Sequence, residues 1–526
     1  MERIPILSLH PTLKMAPGII LGRPDPPVFS LPREILEEIF TFRVNNKPPV
    51  LCDVRSISQV CQNWRELVVG WPSLWGKVIS LDELNQVRDD WRTEVLRRAK
   101  TSALHIFGIL EDMRTLDFVL SLMDTQWSRI RRLELDIIAS LPVHADDRWQ
   151  AILRPAPLLQ SFVLDIQTGT HPALTSPRKP LFGGHAPQLN TFVPSAIDYS
   201  LRGSWTSTLR QLELTSKHPF TIPQFLEALK CMQQLEYLLL NPNGFQGNLD
   251  IDQLMRSPHV RLPHLKYFQI EFVRFWTAIS LLDHIYPAPG CALNLSTLDL
   301  EIPTEERFGE LQRVVSRYTE NYYGLGIATN FHLEMSACRF SITDPRPPIH
   351  PMSIEWTFAG AFVADLSLFT SDGFSNVEHL LLFDNSDSAD DNIAKFISCF
   401  PSLKTLHTLP TTIQCIYDWY LTNRGSATPF PFLHTLQISA GFYAEDFELK
   451  FIYDFLLWRQ VIGAPIAVLE LEDCAWDMFD PDLLEGLKGL KVMWTTPRGI
   501  KRSYVCGNGK PKQLDFHRYM THRYST

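Results

Sequence analysis

One six-residue phrase recurs along most of this 526-residue chain: an aliphatic, two further residues, Leu or Phe, one residue, then an aliphatic. It reads IRRLEL from Ile130, LQSFVL from Leu159, LRQLEL from Leu209, LEYLLL from Leu235 and LKYFQI from Leu265. It returns as LSTLDL from Leu295, VEHLLL from Val377, LHTLQI from Leu433 and IAVLEL from Ile466, with weaker copies at Leu189, Leu403 and Leu487. Several successive starts lie 26 to 30 residues apart. Alternation inside the phrase puts its apolar residues on one face of a short strand. The interval leaves room for a return helix, and a unit of that size cannot bury its own apolar face, so neighbouring copies must stack.

The residues between phrases supply such helices. Thr221 is placed to cap one, with Pro223 in the first turn and Phe225, Leu229 and Met232 on one face. Ile393, Phe396, Ile397 and Phe400 make a second stripe; Phe308, Leu311, Val314, Val315 and Tyr318 make a third. Proline stands two residues ahead of the phrase at Pro157, Pro187, Pro263, Pro401 and Pro431, where it ends a helix and bends the chain into a strand. Between Leu295 and Val377 lies room for two irregular units, with strands expected at 331–335 and 353–358 around a proline-rich loop, 344–351. Residues 91–99 read as a helix and 103–107 as a strand, a candidate first repeat.

Phrase and interval together resemble the leucine-rich repeat. Asn243, Asn385 and Cys474 complete the longer form of the motif, where the family implies a residue bonded to adjacent backbone turns. The competing reading is a generic α/β protein whose buried strands are rich in leucine.

Ahead of the repeats, residues 29–79 carry a different pattern. Ser30 is a candidate N-cap with Pro32 in the first turn, followed by Leu31, Ile35, Leu36, Ile39 and Phe40 as an apolar stripe against Arg33, Glu34, Glu37 and Glu38. A second helix is expected through Ile57, Val60, Cys61, Trp64 and Leu67. Each is an amphipathic helix that could simply pack on the other, but about fifty residues barely make a core that hides every large side chain. Leu31, Pro32, Glu34, Ile35 and Leu36, then Ile57, Val60, Cys61, Trp64 and Arg65, then the run WPSLW from Trp71, resemble an F-box of the kind found in the large fungal families. The linker 45–53 is longer and richer in proline than in compact F-boxes. That resemblance implies binding to the Skp adaptor of an SCF-type cullin-RING ubiquitin ligase through Leu31, Pro32, Ile35, Leu36, Ile39, Val60 and Trp64, with a target protein held by the rest of the chain.

The expected fold class is thus α/β, a small three-helix F-box followed by an irregular leucine-rich-repeat solenoid. The expected organisation is a disordered segment 1–27, the F-box 28–80, repeats 90–497 and a basic, solvated tail 498–526 with seven Lys or Arg. Charged residues at 20% and hydrophobic ones at 45% match an ordinary folded protein, and a net charge of −9 gives no reason to expect nucleic acid as the main ligand. Nine scattered cysteines, none in CxxC spacing, read as buried free thiols. With no secretory leader and no membrane-length apolar run, the expected location is cytoplasmic or nuclear, without membrane attachment. P-loop, GxSxG, HExxH, EF-hand and GxGxxG patterns are missing, so neither a cofactor nor catalysis is expected. Asp384, Asp387, Asp390 and Asp391 could gather around a hard cation, but capping of the following helix explains them without a metal. Two functions follow from these patterns, a ligase substrate receptor and a non-catalytic repeat scaffold without ligase association.

Overall fold

The computed structural model describes residues 31–45, 51–85, 90–138, 147–166, 180–195, 197, 199–215, 218–241, 245, 256–273, 275–299, 305–324, 330–336, 339–344, 352–358, 372–384, 396–422, 428–439, 450–472, 481–496 and 499–514. The expected disordered segment 1–27, the proline-rich loop 344–351 apart from Asp344, Asn243, Asn385 and Cys474 lie outside them, as do Asp387, Asp390 and Asp391. The chain divides into two compact units, Met1–Ser102 and Ala103–Thr526.

The first unit is helical: α1 (Arg33–Asn45), α2 (Leu51–Val60), α3 (Gln62–Val69), α4 (Pro72–Gly76), α5 (Leu81–Leu84) and α6 (Asp90–Ala99). Leu36, Phe40 and Val44 of α1 point inward with Leu51, Val54, Val68, Leu74 and Trp75. The Trp75 indole donates to the Val68 carbonyl at 2.8 Å, and the Arg98 guanidinium lies 4.5 Å over its ring. The single helix expected through Ile57 to Leu67 is two helices. Cys61 breaks it with extended backbone (φ −156°, ψ 170°), and its Sγ accepts from the Trp64 amide at 3.4 Å, capping α3. The Glu83 carboxylate accepts from the Leu51 and Cys52 amides, so α5 caps α2. Residues 91–99, expected at the head of the repeats, instead belong to this first unit, because α6 packs on α4 through Arg98 and Trp75.

The second unit is built on one long sheet. Its strands are β1 (Leu104–Leu110), β2 (Ile130–Ile137), β3 (Ser161–Ile166), β4 (Thr191–Val193), β5 (Gln211–Leu214) and β6 (Tyr237–Leu240). They continue as β7 (Tyr267–Val273), β8 (Ala292–Asp299), β9 (Asn330–Ser336), β10 (Arg339–Thr343), β11 (Ser353–Phe358) and β12 (His379–Asp384). The last five are β13 (Thr405–Thr408), β14 (Thr435–Ser439), β15 (Val468–Glu472), β16 (Lys491–Thr495) and β17 (Lys501–Val505). From β1 to β8 each strand pairs in parallel with the next. The same holds from β12 to β16. Most phrases fall on or run into a strand with their inner apolar residues buried in register, as Leu133 against Phe162 and Leu406 against Leu436. A mixed α/β unit with one parallel strand per phrase is consistent with a leucine-rich-repeat solenoid.

The middle of the array departs from simple stacking. Both strands expected between Leu295 and Val377 form, but a third, β10, lies between them. β8 pairs in parallel with β11, β11 and β9 each pair antiparallel with β10, and β9 pairs in parallel with β12. The sheet order there is therefore β8-β11-β10-β9-β12. Two phrases are also shifted. Leu293 and Leu295, not Leu298 and Leu300, align with Phe268 and Ile270, and Val492 and Trp494 rather than Leu490 and Val492 align with Leu469 and Leu471.

Return elements vary with the space available. α7 (Met113–Gln126), α8 (Ile222–Leu229), α9 (Phe275–His284), α10 (Glu305–Tyr323), α11 (Pro410–Thr422) and α12 (Lys450–Val461) are helices. The segments Asp147–Leu153, Leu181–Gly184 and Ser204–Thr208 are 3-10 turns, in connections around β3 to β5 interrupted by proline and glycine. α8 has the expected Thr221 cap, reciprocated by Gln224, with Phe225, Leu229 and Met232 buried. Leu311, Val314, Val315 and Tyr318 of α10 are buried likewise, as are Phe396, Ile397 and Phe400. Of the described cysteines only Cys291 and Cys506 are buried, whereas Cys52 and Cys231 are exposed. Cys52 sits on the outer face of α2 and Cys231 in the turn after α8, which an apolar neighbourhood in sequence does not reveal.

The expected solvated tail is, as far as Leu514, a folded end to the sheet. β17 pairs antiparallel with β16, and Tyr504, Cys506 and Leu514 are buried. The Tyr504 hydroxyl donates to Glu485 of the short helix α13 (Pro481–Glu485) at 2.9 Å, and the Gly509 amide donates to the same carboxylate at 2.6 Å. A last repeat otherwise leaves an open edge and an uncovered apolar layer.

One buried group makes stability depend on pH. His218 stacks on Phe220 and lies 3.4 Å from the Tyr199 hydroxyl through Nδ1. Burial pushes its imidazole down to about 4, against a backbone hydrogen bond to Leu214 that works the other way. The unfolded chain thus takes this proton first, and stability falls as pH drops from about 6.5 towards about 4, by up to roughly 3 kcal/mol. Urea midpoints at pH 7.5 and pH 5 measure the loss, and the slope should flatten in His218→Phe; an unchanged slope there assigns the acid sensitivity elsewhere.

Candidate protein-docking faces

Helix α1 carries two apolar stripes. Leu36, Phe40 and Val44, spaced by four, face the core, and Leu36 is only 2% exposed. Ile35, Ile39 and Phe42, at i, i+4 and i+7, share the opposite side and are 42%, 47% and 67% exposed. Of the residues that the resemblance assigns to adaptor contact, Ile35 and Ile39 lie in this outer stripe and Pro32 is exposed just before α1. Val60, at the end of α2, is 53% exposed. Leu31 and Trp64 are half-buried, and the Trp64 ring meets Phe40 edge-on at 4.9 Å. Leu36 is inside and supports the helix from beneath. Phe42 is the residue that sequence reasoning misses; its i+7 spacing from Ile35 is present, but Phe40 makes the inner stripe the more conspicuous of the two. Beside Phe42 runs an open groove lined by Glu37, Glu38, Thr41 and Trp71. The Arg33–Glu37 pair at 2.7 Å lies on the solvent side of α1.

The second face is the side of the long sheet opposite the buried leucines. Its residues are mostly polar and bonded along or across strands. Arg132 closes on Glu134 at 2.7 Å, and the Ser161 hydroxyl donates to the same carboxylate at 2.8 Å. Gln211 donates to Glu213 at 2.6 Å, Tyr267 donates to Gln269 at 2.7 Å, and Asn294 donates to the Tyr267 hydroxyl at 3.1 Å. His407 Nε2 lies 2.6 Å from the Ser439 hydroxyl and 3.5 Å from Glu472; burial lowers its imidazole and the carboxylate raises it. Half-buried Tyr237, Tyr267, Leu381 and Phe383 interrupt the polar surface. Tyrosine in particular is enriched among the residues that anchor protein interfaces.

Among the described residues, no group of three or more His, Cys, Asp or Glu is placed to hold a metal ion. No helix among them is long and apolar enough to cross a membrane.

No protein-family model matches the chain, and comparison with curated proteins finds no match. Among solved structures the chain is similar to a leucine-rich repeat-containing protein, LegL7 from Legionella pneumophila, at 10% identity and a TM-score of 0.25, covering 73% of this chain and 98% of that one.

Proposed function

We propose that this protein is a substrate-recognition subunit of an SCF-type cullin-RING ubiquitin ligase, binding the Skp adaptor through residues 28–80 and a target protein through the repeats. The observation that carries the reading is the outer stripe of α1, three large apolar side chains held in water by a helix whose other side already fills the core. Covering each such side chain contributes roughly 1.5–3 kcal/mol, so an uncovered stripe is matched to a partner. In this reading the chain catalyses nothing; it raises the concentration of target lysines beside a ubiquitin-charged enzyme.

Co-purification with the Skp adaptor tests the proposal. Wild-type protein should retain the adaptor, and an Ile35→Asp, Ile39→Asp double variant should lose at least about tenfold in affinity, because two carboxylates would be forced into an apolar contact. Both positions face solvent in the free chain, so the variant's melting temperature should hold. If the wild type ignores the adaptor, or the double variant binds it equally well, the protein is a repeat scaffold without ligase association.

A further inference from the structure

The sheet ends in a strand with one side unpaired. β17 runs antiparallel to β16, with Trp494 opposite Arg502 and Val492 opposite Tyr504. Two backbone bonds fix the phase of this ladder: the Thr496 amide donates to the Ile500 carbonyl at 2.9 Å, and the Cys506 amide donates to the Leu490 carbonyl at 2.8 Å. Bonded pairs alternate in an antiparallel ladder, so Ile500, Arg502, Tyr504 and Cys506 turn their backbone groups towards β16. Lys501, Ser503 and Val505 turn theirs the other way. Among the described residues nothing bonds to that side. All three residues are exposed, Val505 to 41%, and Ile500 just before the strand is 49% exposed. β17 thus covers the edge of β16 while presenting an edge of its own.

We propose that this edge takes up an acidic, extended segment of a partner protein as one further strand of the sheet, a proposal that rests on the repeat body holding a partner and not on adaptor binding. In such strand addition the backbone pairing supplies affinity and the side chains supply the choice of partner. Here charge sets the choice. Residues 501–514 contain Lys501, Arg502, Lys510 and Lys512 and no acidic residue, in a chain whose net charge is −9. All four are exposed, as is Lys491 opposite Val505. Among the described residues none of these five is in an ion pair. Lys501 and Arg502 project from opposite faces of the strand, so an added neighbour meets a positive charge on either face. A second copy is the wrong occupant, because pairing two β17 edges would bring two sets of Lys501 and Arg502 onto neighbouring strands, where like charges repel. Acidic side chains turn the same feature into attraction. Ile500 and Val505, at the two ends of the edge, offer aliphatic surface that an added strand would cover.

Fluorescence anisotropy of the full chain with a labelled peptide of alternating glutamate and valine tests the idea. The comparison peptide has the same sequence with two adjacent central amides methylated, which removes a donor from each of its edges and leaves its charge unchanged. The unmethylated peptide should bind at least about tenfold more tightly, and a Lys501→Glu, Arg502→Glu double variant should weaken it by at least about tenfold. Ser503→Pro deletes an outward amide that the ladder to β16 does not use, so it should weaken the peptide about tenfold while the urea midpoint stays near wild type. Lys230→Gln, exposed just after α8, should change nothing. Equal affinity for the two peptides means that charge alone is read and overturns the proposal. So does undiminished binding by the double variant. Sedimentation of the chain alone tests the other occupant: a dimer that Ser503→Pro converts to monomer assigns the edge to a second copy and overturns the proposal too. Adaptor retention is scored on the same preparation: adaptor without peptide binding defeats this inference alone, and peptide without adaptor binding defeats the ligase reading alone.

Discussion

A chain shortened to end at Thr496 is expected to lose roughly 5 kcal/mol of stability in its second unit and to self-associate. The cut removes Tyr504, Cys506 and Leu514 from the cover over the last repeat, each large side chain contributing roughly 1.5–3 kcal/mol. It also strips Glu485 of the Tyr504 and Gly509 donors. More damaging, it bares β16, whose edge currently pairs with β17, as a free parallel strand with Val492 and Trp494 behind it. An uncovered strand of that kind templates pairing with another chain. Urea denaturation and light scattering measure both effects. The basic residues are not what holds this end: Lys501→Glu with Lys512→Glu, both exposed, should leave the urea midpoint nearly unchanged. If the shortened chain melts like the intact one and stays monodisperse, the terminal strand is an ornament rather than a cap.

Phe182→Ala should cost about 3–5 kcal/mol, the largest effect expected of a single substitution in the repeats. Phe182 is fully buried at the hub of an aromatic cluster, with ring centroids 5.4 Å from Phe162, 5.6 Å from Trp205, 6.2 Å from Phe192 and 6.4 Å from Trp127. It holds this place with a left-handed backbone, φ 55°, in a turn followed by Gly183 and Gly184. A side chain kept in that conformation gives up roughly 1–2 kcal/mol, which the ring contacts outweigh. Alanine keeps the strain and loses the contacts. Among the described residues no long helix backs β3 and β4, and this cluster fills the space between those repeats. Unfolding followed by the fluorescence of Trp127 and Trp205 reports the loss directly; a shift under about 1 kcal/mol would show that the cluster collapses around the gap.

Much of the second unit is legible in its amino acids alone. Strand positions follow from the phrase because inner residues such as Leu212 and Leu238 must alternate to reach one face. The α8 start follows from Thr221, Pro223 and Gln224 because capping is local chemistry. The first unit is legible as helices but not as faces. Ile35 and Leu36 are neighbours in sequence and both apolar, yet one is exposed and the other buried, and which stripe of α1 turns inward depends on where α3 places Trp64 against Phe40. Cys61 reads as one more apolar residue in a helix, because a sulfur accepting from the Trp64 amide leaves no distinctive pattern.

The sequence by itself determined the repeat phrase, the α/β class and most elements, since each depends on contacts within a few residues along the chain. Only the tertiary structure decided which strands are neighbours. Nothing local tells β11 to pair with β8 while β9 pairs with β12, or β10 to run backwards between them. That order is set by which free edges and apolar faces remain once the flanking repeats have stacked, a condition satisfied across the whole sheet. The same reason turned an apparently solvated basic tail into the strand that closes its last edge.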